Sequence, residues 1–207
     1  MRNESGTIAA ISTAMSNSGI GIVRMSGEEA VEIAERIYKG KNEKKLSKQP
    51  THTIHYGYIV DEEDTIDEVL VMLMRGPHSY TGEDTVEINC HGGVYITNKV
   101  VDLCLHHGAR LAERGEFSKR AFLNGRIDLS QAEAISDIIT AKNSYASSLA
   151  LKGIQGSISH FIKDLKEDLI QIITQIEVNI DYPEYEDVEE LTADKLLPMS
   201  TSLIEKM

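Results

Sequence analysis

The residues best suited to chemistry in this 207-residue sequence include Arg24, which follows two glycines in the stretch SNSGIGIVRMSG from Ser16 to Gly27. Glycines beside a base suggest a phosphate-binding loop, because backbone N–H groups and a cation both hold phosphate oxygens. The stretch does not fit, since the sequence has no Gly-Lys-Ser/Thr and Arg24 stands where a Rossmann fingerprint needs its third glycine. We therefore predict a glycine-rich turn between two strands, with Arg24 near the end of a buried strand and in need of a partner.

A second candidate group is a carboxylate in the segment RGPHSYTGEDTVEINCHGG, which runs from Arg75 to Gly93. The alternation from Asp84 to Cys90 predicts a strand with Glu87 and Asn89 on the face opposite the apolar residues. If that face lines a pocket, Glu87 can accept two hydrogen bonds from a ring N–H and an amino group. A solvent-facing glutamate on an edge strand is an equally open interpretation at this point.

Cysteine and histidine usage predicts neither a metal centre nor a redox pair. Cys90 and Cys104 are the two cysteines and lack Cys-x-x-Cys spacing, so we expect reduced, partly buried thiols. His91 precedes two glycines, but it has no ligand partner at i+4 or nearby to complete a metal site. We assign no catalytic residue and no metal ligand within this sequence.

The charge balance limits the partners that bulk electrostatics would attract. A net charge of −12 argues against nonspecific nucleic-acid binding, while 41% hydrophobic and 26% charged residues are ordinary for a soluble globular protein. Five bases against two acids from Arg110 to Arg126, and six acids without a base from Asp181 to Glu190, are interpreted as solvated faces. The sequence shows neither an apolar run of roughly 18 residues nor a signal-peptide core, so we expect a cytoplasmic protein without membrane association.

The first half of the chain is predicted to be mixed α and β. The strand patterns cover Thr7–Thr13, Gly21–Met25, His52–Val60, Val69–Met74 and Asp84–Cys90. The run VLVMLM at Val69–Met74 is continuously apolar, which predicts a strand buried on both faces. Ser26 and Glu29 form a capping-box pattern that predicts a helix start. A second helix is predicted from Val94 to Leu105, ended by Gly108.

The second half reads as helical. Ser130 and Glu133 form another capping-box pattern, and Gly153 and Gly156 are the only breakers from there to Pro183. An apolar stripe at helical spacing requires a bundle partner; its members are Leu165, Leu169, Ile172, Ile173 and Ile176.

A further helix is predicted from Thr192, and it reaches Met207 without a stop signal, which we interpret as a truncation inside a helix. The predicted fold class is α+β, with a mixed α/β domain over residues 1–120 and an incomplete α-helical bundle over residues 121–207.

Three ordered segments carry one resemblance: GIGIVRMSG, GPHSYTGEDTVEINCHGG and RGEFSKRAFLNGRIDLSQAEAI. Together they resemble the MnmE, or TrmE, family of tRNA modification GTPases over essentially the whole chain. The resemblance implies an N-terminal domain like the tetrahydrofolate-binding domains of aminomethyltransferases, then a helical domain into which a GTPase domain is inserted. It also implies a homodimer formed by the N-terminal domain, with a 5-formyltetrahydrofolate-type cofactor bound near that interface.

In the full-length family, the resemblance implies joint action with the FAD-dependent partner MnmG on tRNA. The product carries a carboxymethylaminomethyl-type group at C5 of the wobble uridine, position 34, and the GTPase domain uses GTP, magnesium and potassium. The 207 residues contain neither the P-loop nor the family's C-terminal Cys-x-Gly-Lys motif. We therefore expect no GTP hydrolysis and no tRNA modification by this chain alone.

Residue by residue, the family's folate contacts match Arg24 in GIGIVR, Glu87 in GEDTVE and Arg126 in LNGR. Some relatives have lysine where Arg126 stands, which keeps the charge but not the fork of donors. Two other hypotheses stay open. One is a dimerisation and MnmG-docking scaffold without a small-molecule site, in which the three residues form interface ion pairs. The other is a free-standing one-carbon transfer enzyme of the aminomethyltransferase type.

Overall fold

The computed structural model describes residues 6–40, 45–181 and 193–206, and the chain divides into two compact units, Met1–Ile127 and Asp128–Met207. The first unit is a mixed α/β sheet domain and the second is helical, which confirms the predicted succession of an α/β domain and helices. The division follows Ile127, whereas the boundary expected after residue 120 falls inside a helix of the first unit.

The first unit is built on one sheet of seven strands in the order β3-β4-β5-β6-β2-β1-β7. The strands are β1 (Ile8–Ile11), β2 (Ser18–Ser26), β3 (Tyr38–Gly40), β4 (Thr53–Asp61), β5 (Asp64–Met74), β6 (Thr85–Gly92) and β7 (Arg110–Leu111). All neighbouring strands are antiparallel except β1 and β7, which are parallel. β6 is a central strand, so the edge-strand interpretation of Glu87 is wrong.

Three described α-helices belong to the same unit, α1 (Ala30–Ile37), α2 (Val94–His106) and α3 (Glu116–Leu123), together with a 3-10 helix at Leu46–Lys48. α1 and α2 pack on the sheet because strand alternation gives it one continuous apolar face. The core includes these fully buried side chains: Ile8, Val23, Met25, Ile33, Ile37, Ile59, Val71, Leu73 and Ile88.

The opposite side of the sheet carries apolar side chains that remain accessible. We name it the open face and define it by the exposed residues Ile54, Tyr56, Tyr58 and Leu70. Leu70 is 46% exposed, so the prediction that Val69–Met74 is buried on both faces is wrong. Within this run the residues that point away from the helices, Leu70, Met72 and Met74, are apolar too, so the sequence does not reveal the alternation of burial.

The capping box predicted at Ser26 is also wrong. Ser26 is the last residue of β2, and its hydroxyl lies 2.6 Å from the Thr81 hydroxyl and 2.7 Å from Glu83. α1 begins at Ala30, and the Thr7 hydroxyl accepts a hydrogen bond from the Glu29 N–H at 3.1 Å. The Ser26 hydroxyl and the Glu29 N–H, which the capping box would have used locally, are therefore hydrogen-bonded to residues distant in the sequence.

Gly19 and Gly21 of the opening stretch do not form the predicted turn, because both lie inside β2. A Cβ on Gly21 would stand 2.2 Å from Cγ2 of Thr97 in α2, whereas a Cβ on Gly19 would meet nothing within 4 Å. Gly21 therefore allows α2 to approach the strand. Thr97 cannot turn away freely, since its hydroxyl donates to backbone oxygens of Gly93 and Val94.

The second unit contains four described helices: α4 (Leu129–Thr140), α5 (Ser144–Ile154), α6 (Ser157–Asp181) and α7 (Ala193–Lys206). The nearly unbroken helix expected up to Pro183 is thus interrupted twice. Asn143 caps α5 through a 2.8 Å bond from the Ala146 N–H, and Gly156 adopts a φ of +79° before α6.

The capping box that starts α4 is formed by Asp128 and Gln131, not by Ser130 and Glu133 as predicted. Both patterns fit the sequence DLSQAE, and the Asp128 side chain accepts from the Gln131 N–H at 2.8 Å. The stripe expected on α6 is present at helical spacing, with Ile172 buried. Residues 182–190 of the acidic run and the helix start at Thr192 lie outside the described residues.

The two glycines of β2 provide a matched test of this packing. We expect Gly21→Ala to destabilise the first unit by about 1–3 kcal/mol, because the new methyl group overlaps Thr97 in a filled site. Gly19→Ala should be neutral or slightly stabilising, since its surroundings are open and alanine restricts the unfolded chain. Urea unfolding of both variants measures the difference, and equal stabilities would contradict the packing role of Gly21.

Candidate ligand-binding site

Two of the three predicted contact residues meet across the centre of the sheet. Arg24 of β2 lies directly opposite Glu87 of β6 in the strand register. The Arg24 Nε and Nη2 atoms lie 2.7 Å and 2.6 Å from the same carboxylate oxygen, Oε1 of Glu87. This ion pair supplies the partner that the sequence required for Arg24.

The row of residues that contains this pair crosses four strands on the side of the open face. Ile54 pairs with Met72, Met72 with Glu87, and Glu87 with Arg24. Paired residues of antiparallel strands point to the same side of a sheet. The ion pair therefore continues the open face, and the side chains of Arg24 and Glu87 are 28% and 14% exposed.

The carboxylate of Glu87 keeps one oxygen for another donor. Both contacts from Arg24 go to Oε1, and Oε2 has no hydrogen-bond partner among residues 6–40, 45–181 and 193–206. An ionised carboxylate can accept about four hydrogen bonds. A ligand with an N–H or amino group therefore has a fixed acceptor available at Oε2.

Two aromatic rings stand beside the guanidinium group of Arg24. Its Cζ atom lies 5.5 Å from the ring centre of Tyr80 and 5.6 Å from that of Phe117. Tyr80 comes from the loop between β5 and β6, and Phe117 comes from α3. The two elements are joined directly, because the Tyr80 and Ser118 hydroxyls lie 2.8 Å apart.

The third predicted residue, Arg126, reaches the same loop. Its Nε donates to the backbone oxygen of Ser79 at 2.9 Å, one residue before Tyr80. Within the described part of the chain, Arg126 has no carboxylate partner. The structure thus places all three predicted residues around residues 79–80 of the loop, with one cation unpaired by an acid.

A buried arginine anchors this loop to the rest of the unit. Arg120 of α3 is 7% exposed, and its guanidinium donates to Glu83 at 2.9 Å and to the backbone oxygen of Gly6 at 2.7 Å. Glu83 also accepts from the Ser26 hydroxyl at the end of β2. The interpretation of the basic residues from Arg110 to Arg126 as a solvated face is therefore wrong for Arg120.

Glu116 connects the anchor to a second arginine. Arg110 contacts both carboxylate oxygens of Glu116, with Nη1 2.9 Å from Oε2, and Arg120 lies 3.4 Å from Oε1. The bidentate contact with Arg110 is the main reason that the pKa of Glu116 falls to about 2, and the N–H of Glu113 adds to the effect. Glu116 thus stays ionised beside the two guanidinium groups.

The thiols and the histidine do not form a further site. Cys90 and Cys104 are buried, and burial raises their pKa to about 11 and about 12, so neither is a thiolate nucleophile at neutral pH. His91 lies 2.6 Å from Asp67, whose hydrogen bond raises the pKa of the imidazole. The described residues hold no group of three or more His, Cys, Asp or Glu side chains that suits a metal ion.

None of the described helices combines the length and the apolar character that crossing a membrane requires.

Sequence reasoning located Arg24, Glu87 and Arg126 but missed Tyr80, Phe117 and Arg120 as members of the same neighbourhood. The signal for the two aromatic residues was weak, because single rings in SYTGED and GEFSKR follow no periodic pattern. Arg120 was counted only as one charge among five. Its burial depends on Glu83, 37 residues away, which no local pattern reveals.

Comparison with known proteins gives two family matches that divide where the two units divide. The model described as "GTP-binding protein TrmE N-terminus" matches residues 7–126, and the one described as "MnmE helical domain" matches residues 129–207. The first match ends just before the division after Ile127, and the second begins just after it.

Curated relatives named "tRNA modification GTPase MnmE" align with nearly the whole chain. The protein of Bacillus pumilus is 54% identical over 199 residues, which are 95% of this chain and 43% of that protein. The protein of Lysinibacillus sphaericus is 54% identical over 96% of this chain, and that of Enterococcus faecalis is 55% identical over 94%. These alignments cover 43% and 42% of the two relatives, so the chain spans less than half of their length.

Glu116 makes the stability of the first unit depend on pH in a defined direction. Its folded pKa of about 2 lies below the ordinary value of 4.5, so its stabilisation is complete above that value and is lost as the pH falls towards 2. The full effect is about 3 kcal/mol for this side chain, which is 8% exposed. In urea unfolding, the stability difference between the wild type and Glu116→Gln should shrink by about 1–2 kcal/mol from pH 6 to pH 3.

Glu28→Gln is the matched control, because Glu28 is exposed and belongs to the same unit. Its difference from the wild type should stay constant over the same pH range. A Glu116→Gln difference that also stays constant would show that this carboxylate does not titrate abnormally.

Proposed function

Because the chain belongs to the MnmE (TrmE) family of tRNA modification GTPases and comprises the N-terminal and helical domains of that family, we propose that the first unit binds a 5-formyltetrahydrofolate-type cofactor. The contact residues are Arg24, Glu87 and Arg126. The observation that supports this proposal most directly is the arrangement of Glu87, which is fixed on a central strand and paired through only one of its oxygens.

The chemistry of a reduced folate suits these groups. The pterin ring offers an N–H and an amino group along one edge, and such an edge matches a carboxylate acceptor. The glutamate tail is anionic, and Arg126 is a cation without a carboxylate partner in the described residues. Arg24 can donate to ring or formyl oxygens from the side of its guanidinium that Glu87 does not use.

For the full-length protein, we propose the activity that the family name indicates. Together with MnmG, it adds a carboxymethylaminomethyl-type group at C5 of the wobble uridine at position 34 of certain tRNAs, in the cytoplasm where these substrates occur. GTP, magnesium and potassium belong to a GTPase domain whose P-loop motif is not among these 207 residues. The chain therefore contributes cofactor binding and assembly, and no nucleotide hydrolysis.

We also propose that the first unit forms a homodimer through its open face. This face exposes a group of large side chains next to the cofactor residues, with Ile54 at 60% and Tyr56 at 46% accessibility. Ile20 of the glycine-rich strand is 61% exposed and lies on the same side of the sheet, since Gly21 points to α2. Contiguous apolar patches of this kind mark interaction surfaces.

The scaffold alternative requires Arg24 and Glu87 to form ion pairs between subunits. In this structure they pair within one chain instead. This arrangement favours the cofactor proposal over a purely structural role. The helical second unit likewise favours the family assignment over a free-standing aminomethyltransferase-type enzyme.

Removal of the charge on Glu87 tests the cofactor site. Glu87→Gln places a donor where ring donors would approach, so the affinity for 5-formyltetrahydrofolate should fall by roughly 30-fold to 1000-fold. Titration calorimetry on the 207-residue chain measures it. Glu68→Gln is the control, because Glu68 is an exposed carboxylate on the same side of the sheet, opposite Tyr58.

Equal binding by Glu87→Gln and the wild type would remove Glu87 from the site. Absence of any heat or thermal stabilisation of the wild type at millimolar ligand would overturn the cofactor proposal itself. The same wild-type sample with a dimeric mass would then support the scaffold alternative.

A charge on the open face tests the dimer. Leu70→Glu should shift the first unit towards monomer by at least tenfold in the dissociation constant, because a buried interface would have to desolvate the new carboxylate. Tyr95→Glu is the matched control, since Tyr95 is 76% exposed on α2, which packs on the other side of the sheet. Sedimentation at micromolar concentration distinguishes the species, and a monomeric wild type would contradict the proposal.

A further inference from the structure

The contact between Arg24 and Glu87 has an unusual form. An arginine and a carboxylate that meet freely tend to form two parallel hydrogen bonds, one to each oxygen. Here Nε and Nη2 of Arg24 both lie within 2.7 Å of Oε1, and Oε2 of Glu87 is left without a partner in the described residues. Something other than the pair itself must hold the guanidinium in this position.

The two aromatic rings are suited to that task. Tyr80 and Phe117 lie 5.5 Å and 5.6 Å from Cζ of Arg24, which is within the range of cation–π attraction. A partly desolvated guanidinium gains more from such contacts than an exposed one, and the Arg24 side chain is only 28% exposed. Attraction to the two rings therefore stabilises the guanidinium in the position that it occupies.

The rings are themselves fixed. The Tyr80 hydroxyl lies 2.8 Å from that of Ser118, so the loop and α3 hold each other at the level of Arg24. One turn further along α3, Arg120 bonds to Glu83 of the same loop, and Glu83 bonds to Ser26 of β2. Arg24 and both rings thus lie on three segments, β2, the loop and α3, that these hydrogen bonds join.

From this geometry we propose that Phe117 and Tyr80 are positioning residues that hold the Arg24 guanidinium on Oε1 of Glu87 and so keep Oε2 open for the cofactor. The inference rests on the proposed cofactor site and adds two residues that act on the ligand through Arg24. It predicts that loss of a ring weakens binding although the ring donates no hydrogen bond to the ligand.

The first experiment compares two phenylalanines of one helix. Phe117→Leu should lower the affinity for 5-formyltetrahydrofolate by about 3-fold to 30-fold. Phe122→Leu is the control on the same helix, since Phe122 is 44% exposed and its ring contacts no arginine of the described residues, and it should bind as the wild type does. Phe117→Tyr retains the ring and should restore the affinity. An equal loss in Phe122→Leu, or a failure of Phe117→Tyr to restore binding, would overturn the proposal.

A double-mutant cycle distinguishes positioning from direct contact. If Phe117 acts through Arg24, Phe117→Leu should cost little additional affinity in an Arg24→Gln background. If Phe117 stacks on the ligand itself, the two losses should add, and the positioning role would be wrong. Tyr80→Phe and Ser118→Ala each remove the hydroxyl contact but keep Phe117, so they should produce equal, smaller losses.

A measurement without ligand separates this inference from the cofactor proposal. The Nε–H resonance of Arg24 should show ring-current shifts and slowed exchange in NMR spectra of the free chain. Phe117→Leu should abolish much of both effects, and Phe122→Leu should leave them unchanged. If the wild type binds no reduced folate but the resonance behaves as described, the cofactor proposal fails and the positioning of Arg24 stands. An unshifted, rapidly exchanging Nε–H in the wild type would overturn the positioning itself.

Discussion

The candidate site depends on the hydrogen bonds and ion pairs made by the guanidinium group of Arg120. This group is buried, and a buried charge destabilises a fold by several kcal/mol unless partners surround it. Its partners are the Glu83 carboxylate, the Glu116 carboxylate and backbone oxygens of Gly6 and Ser26. These groups come from the N-terminal segment, the end of β2, the loop before β6 and α3 itself. Because all of these groups bond to one cation, the four segments that carry them are fixed relative to each other.

This constraint explains why a loop and a short helix can provide a precise site. α3 has eight residues and a loop of ten residues joins β5 to β6, and neither is rigid by its own secondary structure. With Arg120 in place, Tyr80 and Phe117 are held beside Arg24, and Ser79 is held within reach of Arg126. The sheet positions the remaining two residues of the candidate site, because its register alone brings Arg24 opposite Glu87.

Local patterns predicted the parts of this arrangement that local physics determines. The alternation in TVEINC predicted the strand and the side of Glu87, and the Gly108 stop predicted the end of α2. Errors arose where a distant partner overrode a local signal. Ser26 matches a capping box, yet its hydroxyl serves Thr81 and Glu83, 55 and 57 residues away. The burial of Arg120 and the position of Phe117 depend on contacts of the same long range, so the sequence pointed to Arg24 and Glu87 but not to the residues that hold them.

The local distribution of charge, rather than the net charge of the chain, determines whether the proposed site can accept an anionic ligand. The net charge is −12, but interactions between exposed charges are screened over about 8 Å at physiological ionic strength, so the groups at the site decide the local potential. There Arg24 and Glu87 cancel, and the two acids around Arg120 are held by Arg120 and Arg110. Arg126 is the cation that no described acid neutralises. A carboxylate tail would therefore meet local attraction at Arg126, while the pterin edge would meet an acceptor at Glu87 whose charge Arg24 has already compensated in part. The proposed site would thus meet an anionic group through Arg126, which follows α3, and an N–H or amino group through Glu87, which lies on β6.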